Sequence, residues 1–436
     1  ILLVPVPISS KFGPNHKWGF FPSASAAWIV TNEKFMKNVE WLSNLRLRAS
    51  YGVNGTLPSS NYGWRALAAY GANYQESPGG YISNVASNDL SWETSYTYNV
   101  ALEFGLFNNR LNGTVEYFNR DSKDLLMNVP ISRVTGFSSV LRNLGEVNNK
   151  GIEVELSGDI ISTRDWKWSL GVNASFTKSK VTKLYRQEGE STGQDVIWYD
   201  PTGGDDLCQF IYREGESMLA VYGLEWAGVD PATGYNIWYS NNDNCDFKDA
   251  NGRNVVYDFE DADEIILADL VPLVYGGITT DFSWKGLSLN VFFTYMYGNQ
   301  VFMGQGANLT RPGATRNVLA EYVENAWSGP GSTNTYPRII NGASWNQKNS
   351  DMLLQDGSFI RLRALTLAYN LPRKALDKMK MKGFRIYLQG DNLFLLTKYP
   401  GWDPEVSSNM DPRFFGVDNL SVPQPRTFTM GVNLTF

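Results

Sequence analysis

From Thr427 to the last residue, apolar and small polar side chains alternate without interruption. Because successive side chains of a β-strand point to opposite faces, this pattern predicts a strand with one apolar and one polar face. The apolar row consists of Phe428, Met430, Val432, Leu434 and Phe436. Such a strand suits a wall between hydrocarbon and water. It therefore predicts an all-β fold, a transmembrane antiparallel β-barrel of the outer-membrane type.

Earlier stretches repeat this alternation and give about 12 predicted strands. The clearest runs from 166 to 177, where Trp, Leu, Val and Phe alternate with Lys, Ser, Asn and Thr. In other strands the polar positions carry charges, which a dry core excludes and a wet barrel interior accepts. The charged residues that we predict to face the barrel interior are Arg46, Arg48, Glu153, Glu155 and Arg385.

The connections between the predicted strands alternate strictly in length. The short ones fall at 32–40, 108–110, 162–164, 285–286 and 373–382. The long ones are mainly 55–89, 185–271, 303–357 and 398–423. Outer-membrane barrels combine short periplasmic turns with long outward loops, so we expect the long loops to face outside. No run of about 18 apolar residues occurs, and no transmembrane helix is predicted.

Composition adds two restrictions. Aromatic residues make up 14% of the 436 residues, which suits the aromatic girdles of a barrel. The formal net charge of -6 and the lack of a concentrated basic face argue against nucleic-acid binding. The first residues, ILLVPVPISS, contain no Met, basic region or small-residue cleavage site. We therefore expect the chain to begin within a longer protein.

Nine motifs are spread over nearly the whole chain. They are Lys11-Phe12-Gly13, WGFFPSASAAW (18–28), LRLRASYGVNG (45–55), LGEVNNKGIEVEL (144–156), WAGVDPATGY (226–235), TYPR (335–338), DGSFIRLRALTLAYNLP (356–372), YPGWDPE (399–405) and PQPRTFTMGVNLTF (423–436). In this order they resemble the SusC/RagA-type TonB-dependent transporters of the Bacteroidetes outer membrane. Residues 1–8 depart from the polar-aromatic strand that the family has before its Phe-Gly loop.

The resemblance implies a barrel of about 22 strands closed by an N-terminal plug. Residues 1–436 would form its C-terminal portion, with the plug domain absent from this chain. The apolar row that ends at Phe436 would be the C-terminal signal for barrel assembly. A twelve-stranded barrel that is complete by itself is the structural alternative.

The same resemblance implies a nutrient importer without enzymatic activity or a cofactor. A SusD-like lipoprotein would cover the outward loops and capture an oligosaccharide or a peptide. The TonB complex, acting through the missing N-terminal part, would then displace the plug. The family typically works as a dimer of transporter–lipoprotein pairs embedded in outer-membrane lipid. The sequence does not decide between the two ligand classes.

Other functions remain open. A passive porin or diffusion channel would need neither a plug nor energy coupling. An outer-membrane enzyme would need a catalytic pair with histidine, yet His16 is the only histidine and lies in a Pro-Asn-His-Lys loop. A soluble β-sandwich adhesin would stay monomeric and folded without detergent.

The predicted outward loops contain the remaining candidate site residues. Five tryptophans could stack on a sugar ring, contact a peptide or meet the partner lipoprotein, although loop packing explains each of them as simply. They are Trp64, Trp198, Trp238, Trp327 and Trp345. Cys208 and Cys245 share one loop, where oxidising conditions could join them in a disulfide. In the Asp/Asn-rich stretch 241–254 an EF-hand alignment puts Phe247 where an acid is required, so a polar turn is preferred over calcium.

Overall fold

The structure is a computed structural model of the chain. It describes residues 2–186, 190–199, 208–243, 245–304, 306, 317–332, 335–341, 349–408 and 414–436. The chain divides into two compact units. The first comprises Ile1–Ser162, Ser169–Asp195 and Arg213–Glu216, and the second comprises Thr163–Trp168, Val196–Tyr212 and Ser217–Phe436. Within the described ranges, no helix is both long enough and apolar enough to cross a bilayer.

The first unit is built from long antiparallel strands. The strands are β1 (Leu2–Leu3), β2 (Ser23–Ile29), β3 (Leu42–Thr56), β4 (Ala68–Tyr74), β5 (Ser77–Ile82), β6 (Glu93–Leu106), β7 (Leu111–Pro130), β8 (Ser139–Ser162) and β9 (Trp166–Lys183). β4 and β5 form a hairpin of their own, and the others follow each other through the sheet in chain order. β9 is divided, since its first residues, 166–168, belong to the second unit.

The second unit combines a chain-order sheet with smaller loop sheets. The loop strands are β10 (Val196–Tyr199), β11 (Gln209–Tyr212), β12 (Ala220–Leu224), β13 (Trp226–Val229), β14 (Asn236–Tyr239), β15 (Phe247–Lys248), β16 (Asn254–Val256) and β17 (Glu264–Asp269). The remaining strands are β18 (Val274–Trp284), β19 (Leu287–Tyr297), β20 (Gln300–Phe302), β21 (Leu354–Asp356), β22 (Phe359–Asn370), β23 (Gly383–Thr397) and β24 (Thr427–Thr435). The long strands β18, β19, β22, β23 and β24 are consecutive neighbours.

The loop strands form two four-stranded sheets, with the orders β10-β11-β12-β17 and β13-β14-β16-β15, and the short strands β20 and β21 pair with each other. Helices whose full extent the described residues give are α1 (Ala320–Glu324) and α2 (Arg373–Met379). Single 3-10 turns occur at Val30–Asn32, Lys34–Met36, Arg133–Thr135, Phe259–Asp261 and Asp351–Leu353.

The long strands confirm the predicted β-barrel class, and each predicted strand has a counterpart in the structure. Two expectations were wrong in detail. The sequence over 18–31 predicts one strand, but the strand in the structure extends only over Ser23–Ile29. The long connection 185–271 is expected from the sequence to be irregular, but its described part contains β10 to β17. These strands have two to six residues each, which is too short for alternation to be recognised in the sequence.

The strand register of the first unit separates apolar from polar side chains. One row across β3, β6, β7 and β8 consists of Leu47, Leu102, Val115 and Val154. The next row, on the other face, consists of Arg48, Ala101, Glu116 and Glu153. Val115 is 38% exposed whereas Ala101 is 1% exposed, so the apolar face is the open one. This inverts the arrangement of a soluble protein and fits a wall that faces hydrocarbon.

The closing strand β24 has the same organisation. Its register with β23 pairs Val432 with Ile386 and Met430 with Leu388, all on one face. On the other face Asn433 pairs with Arg385, whose guanidinium lies 5.9 Å from the Tyr387 ring. Every member of the predicted apolar row from Phe428 to Phe436 is exposed.

Strand length and aromatic placement mark the two ends of the apolar band. β18 and β19 have 11 residues each, the length that a tilted strand of about 9–11 residues needs to cross a bilayer. Their turn is Lys285-Gly286, and both residues have positive φ, as a two-residue hairpin loop of type I′ requires. Beside this turn Trp284 stacks on Trp166 at 5.3 Å. Tyr297 is exposed at the opposite end of the hairpin.

The inverted faces predict opposite effects for arginine at adjacent positions of β7. In the full-length protein, Val115→Arg places a charge on the apolar face and is expected to cost about 2–4 kcal/mol. Thr114→Arg places it between Glu103 and Glu155, the neighbours of Thr114 in register, and is expected to be nearly neutral. Urea unfolding in lipid vesicles measures both. Equal costs for the two variants would contradict the assignment of the faces.

Candidate functional site

A cluster of charged side chains lies on the polar face of the first unit. Arg46 Nη1 is 3.1 Å from Glu103 Oε2, and Arg48 Nε is 3.3 Å from Glu103 Oε1. Arg48 Nη2 also lies 2.7 Å from Glu116 Oε2, two strands away. The residue between them in register is Ala101, whose small side chain leaves room for the guanidinium to cross β6. The predicted polar positions of β3 therefore do face the polar side.

Glu153 and Glu155 extend the same rows onto β8. Glu153 pairs with Glu116, and Ser175 Oγ donates to Glu153 Oε1 at 3.4 Å. Glu155 is exposed and pairs with Thr114. The four carboxylates of these rows outnumber the guanidiniums of Arg46 and Arg48, so this patch favours hydrogen-bond donors and cations. Its partly exposed ion pairs are each worth about 0–1 kcal/mol and can exchange partners at little cost.

A pocket of about 460 Å³ lies where β7 and β8 extend beyond their apolar rows. Ser87, Asn88 and Asp89 line one side, and Arg142 lines the other. Asn143 fixes the pocket wall, because its side chain accepts from Ser91 N and donates to Ser91 O, each at 2.9 Å. The combination of an acid, a guanidinium and an amide can hydrogen-bond to a peptide backbone or to sugar hydroxyls. Sequence reasoning missed this pocket, because each residue by itself is an ordinary loop residue.

The described loop tryptophans pack within their own units. In the first unit the Arg65 guanidinium lies 4.5 Å from the Trp64 ring. In the second unit Trp198 stacks on Phe210 at 4.6 Å, and Trp238 is 1% exposed. A ligand cannot reach a ring as buried as that of Trp238, which is a core residue. Within the second unit, Trp198 and Trp238 belong to different hydrophobic clusters. Trp345 lies outside the described residues.

The possible disulfide between Cys208 and Cys245 is not formed in this structure. Cys208 is buried in a cluster with Phe210 and Phe302. Cys245 packs against a different cluster, around Trp238. The two cysteines share a loop in sequence, but separate sheets of that loop fix their positions.

The motif WAGVDPATGY forms a tight turn around Asp230. The Asp230 carboxylate accepts hydrogen bonds from Ala232 N, from Thr233 N and Oγ1, and from Tyr257 Oη at 2.9 Å. Burial raises the pKa of Asp230, but these hydrogen bonds together outweigh it and hold the pKa below its usual range. The carboxylate therefore remains ionised and fixes the turn.

Two distant motifs meet at this turn. Gly234 has a φ of +73°, and a Cβ there would come 2.5 Å from the Trp327 ring. Trp327 Nε1 donates to Pro231 O at 2.9 Å. Arg338, the last residue of TYPR, donates from its backbone N to Gly234 O at 2.8 Å, and its guanidinium lies 5.1 Å from the Tyr235 ring. Trp327 thus supports the turn and is only partly exposed.

A buried ion pair anchors the segment after β23. Arg361 on β22 pairs with Asp403, and the two are 3% and 5% exposed. Arg363, two residues on, lies 3.0 Å from Glu405. Asp403 also accepts from the backbone N of Gln424 at 3.2 Å. These contacts join the motifs DGSFIRLRALTLAYNLP and YPGWDPE. In each motif the two charged residues of these ion pairs are two positions apart, and this matching spacing was visible in the sequence.

The Asp/Asn-rich stretch forms a polar turn in its described part. Asp249 Oδ1 accepts from Asn251 N at 2.9 Å and from Arg253 N at 2.8 Å, which connects β15 to β16. Over the described ranges, no group of three or more His, Cys, Asp or Glu residues is arranged to hold a metal ion.

Comparisons with known proteins agree with this architecture. The family model for the TonB dependent receptor-like β-barrel matches residues 6–393. TonB-dependent receptor P3 of Formosa agariphila is 32% identical over 98% of this chain and 43% of its own length. TonB-dependent receptor SusC of Bacteroides thetaiotaomicron is 28% identical over 98% of this chain and 41% of its own length. A solved structure of the RagAB peptide transporter matches with a TM-score of 0.81 and 29% identity, over 98% of this chain and 44% of that one.

The chain therefore belongs to the β-barrel family of TonB-dependent receptors. Its relatives place it with the SusC/RagA type, as the motifs indicated. The chain spans less than half the length of the curated relatives that it matches. The family places the barrel in the outer membrane.

Loss of the buried pair is expected to release the segment that it anchors. Asp403→Ala leaves Arg361 buried without its closest partner, a change of about 3–5 kcal/mol. Arg363→Ala removes only a partly exposed ion pair, worth about 0–1 kcal/mol, and is the matched control. Hydrogen exchange of residues 399–408 in the full-length protein measures both. Equal loss of protection in the two variants would show that burial of the pair does not matter.

The Asp230 turn is expected to weaken only in acid. A carboxylate whose pKa is lowered on folding stabilises fully above its unfolded pKa of about 4, and this stabilisation disappears as the pH falls through the lower folded pKa. Protection factors of residues 228–239 should therefore stay constant from neutral pH to about pH 4 and then fall. Asp230→Asn has no carboxylate to titrate and is the reference variant. Its residues 228–239 should show lower protection factors than the wild type already at neutral pH. A wild-type loss between pH 7 and 5 would contradict the assignment.

Proposed function

We propose that this chain is the barrel portion of an energy-coupled importer that carries oligosaccharides or peptides across the outer membrane. A SusD-like surface lipoprotein would cover its long loops, which face outside, and the TonB complex would supply the energy. The similarity to SusC and to the RagAB peptide transporter supports this proposal. Because RagAB is a peptide transporter, this similarity favours a peptide over an oligosaccharide as the ligand.

The observation that carries the proposal is the polar face of the barrel wall. Rows of carboxylates and guanidiniums lie behind an exposed apolar face, so a solute can pass on the wet side of the wall. Their ion pairs are partly exposed and can be exchanged for contacts with a solute or a plug. The pocket between Asp89 and Arg142 offers a first contact at the end with the long connections.

The mechanism requires binding and gating without covalent chemistry, and we propose no enzymatic activity and no cofactor. Ligand captured at the loops would pass to the polar face once the plug moves. The assembly would be a dimer of transporter–lipoprotein pairs in outer-membrane lipid. The exposed row from Phe428 to Phe436 would act as the signal for insertion into the membrane.

Uptake by cells that express the full-length protein tests the proposal against a passive channel. Material that co-purifies with the protein is identified by mass spectrometry, labelled, and supplied with and without a protonophore. An energy-coupled importer loses uptake when the protonophore is added. A passive porin keeps it, and that result would overturn the proposal.

The role of the pocket is tested by Arg142→Glu. If the guanidinium binds ligand, this charge reversal should weaken ligand retention by about tenfold, the effect of losing one charge-assisted hydrogen bond. Arg133→Glu, an exposed position at the end of the same β7–β8 extension, is the control and should leave retention unchanged. Equal effects of the two variants would indicate long-range charge and not a pocket contact.

A further inference from the structure

The apolar face of the first unit changes character at the end of the strands opposite the 108–110 turn. The last apolar row on this face pairs Tyr117 with Ile152, and both side chains are exposed. The next row on the same face pairs Asn119 with Lys150. Apolar rows occupy β7 from Leu111, beside the short turn, to Tyr117, and a tilted strand crosses a bilayer in about 9–11 residues. The row of Lys150 therefore lies at the level of the lipid head groups.

Four exposed lysines lie on this face at or beyond that row. They are Lys123, Lys150, Lys178 and Lys180, which we name the lysine surface. Lys123 Nζ lies 5.6 Å from the ring of Tyr96, its neighbour on the same face of β6. The lysine surface therefore extends over β7, β8 and β9.

A contact on the polar face fixes the position of β9 beside β8. Ser175 Oγ lies 3.4 Å from Glu153 Oε1, and the two strands are neighbours in the sheet. Lys178 and Lys150 are the third residues beyond this contact along the two strands, in the same direction across the sheet. Because side chains alternate between faces, both lysines leave the polar face and lie side by side on the apolar one.

Neighbouring carboxylates do not neutralise the lysine surface. Among the described residues, no carboxylate lies within ion-pair distance of any of the four lysines. Glu146 pairs instead with Lys183, whose Nζ lies 3.3 Å from its Oε1. Asp121 accepts hydrogen bonds from Asn119 at 3.1 Å and from Asn148 at 2.6 Å. The surface therefore keeps a net positive charge, which favours an anionic ligand.

An aromatic pair adjoins the lysine surface. Tyr98 is exposed in the row of Lys150, and its ring centroid lies 5.0 Å from that of Tyr51. An exposed tyrosine ring offers an apolar face and a hydroxyl to a sugar ring. Hydrocarbon-facing side chains, a tyrosine pair and several ammonium groups thus follow each other outward along the strands. A molecule with acyl chains, sugar rings and more than one phosphate fits this order, because lysine ammonium groups bind phosphate.

We propose that the lysine surface binds one phosphorylated glycolipid of the outer leaflet. Its phosphate groups lie at Lys150 and Lys178, a sugar ring lies on Tyr98, and its acyl chains cover Tyr117 and Ile152. The proposal rests on the proposed function in one respect, the orientation that places the long connections outside. A glycerophospholipid has a single phosphate and would engage fewer of the lysines.

Native mass spectrometry of the full-length protein tests this site. The detergent-solubilised protein is incubated separately with diphosphorylated lipid A, with the same lipid after removal of its phosphates, and with phosphatidylglycerol. One molecule of diphosphorylated lipid A should be retained in preference to either other lipid. Lys150→Glu and Lys178→Glu should each weaken its retention by about tenfold, the effect of losing one charge-assisted hydrogen bond.

Two further variants separate the site from general charge effects. Lys167→Glu is the matched control, because Lys167 is an exposed lysine at the opposite end of β9, and it should leave retention unchanged. Lys150→Arg keeps the positive charge and should retain the lipid. Heat-modifiable migration on gels verifies that each variant is folded. Equal losses in Lys167→Glu and Lys150→Glu, or equal retention of all three lipids, would overturn the proposal.

Other measurements separate this site from the importer function. Retention in detergent needs no energy coupling, so failed uptake with normal retention would count only against the importer. Normal uptake without a preference for diphosphorylated lipid A would count only against this site. Val134→Cys, at an exposed position of the β7–β8 connection, checks the orientation with a membrane-impermeant maleimide on intact cells. Labelling only after lysis would overturn both proposals.

Discussion

The structure depends on one constraint, which is that a strand inside a bilayer must satisfy its backbone hydrogen bonds with neighbouring strands while its side chains meet two solvents. Every second side chain then faces hydrocarbon, and the intervening ones face water. Val115 is exposed and apolar while Ala101, in the adjacent row, is buried among charged neighbours. The inversion places apolar groups outward and charge inward, and the long strands, the short turns and the aromatic ends follow from it.

Charged residues of the same types have different roles where they are partly exposed to water and where they are buried. Arg46 and Arg48 form partly exposed pairs on a wet face, where each pair contributes little and remains exchangeable. Arg361 and Asp403 are both buried, and loss of Asp403 would leave the buried guanidinium with only its longer contact to Glu405. Water access explains why the first group can exchange partners, whereas the second suits a fixed anchor for a loop.

The long loops are ordered in their described parts by contacts between distant motifs. The Asp230 turn is supported by Trp327 and Arg338, which lie about a hundred residues further along the chain. The loop aromatics mainly supply this internal packing, as Trp198 and Trp238 show. The described parts of these loops are therefore held by their own internal contacts.

The sequence by itself determined the barrel class, most of the long strands, their short turns and the face on which Arg46, Arg48, Glu153 and Arg385 lie. This was possible because a period of two residues is a local pattern, and the bilayer enforces it along every strand. Only the tertiary structure decided that Cys208 and Cys245 lie in separate clusters and that Trp238 is buried. It also decided that Arg361 meets Asp403 and that Tyr295, Ile360 and Leu396 form one row. These features depend on strand register and on loop packing between residues far apart in sequence, and no local periodicity encodes either.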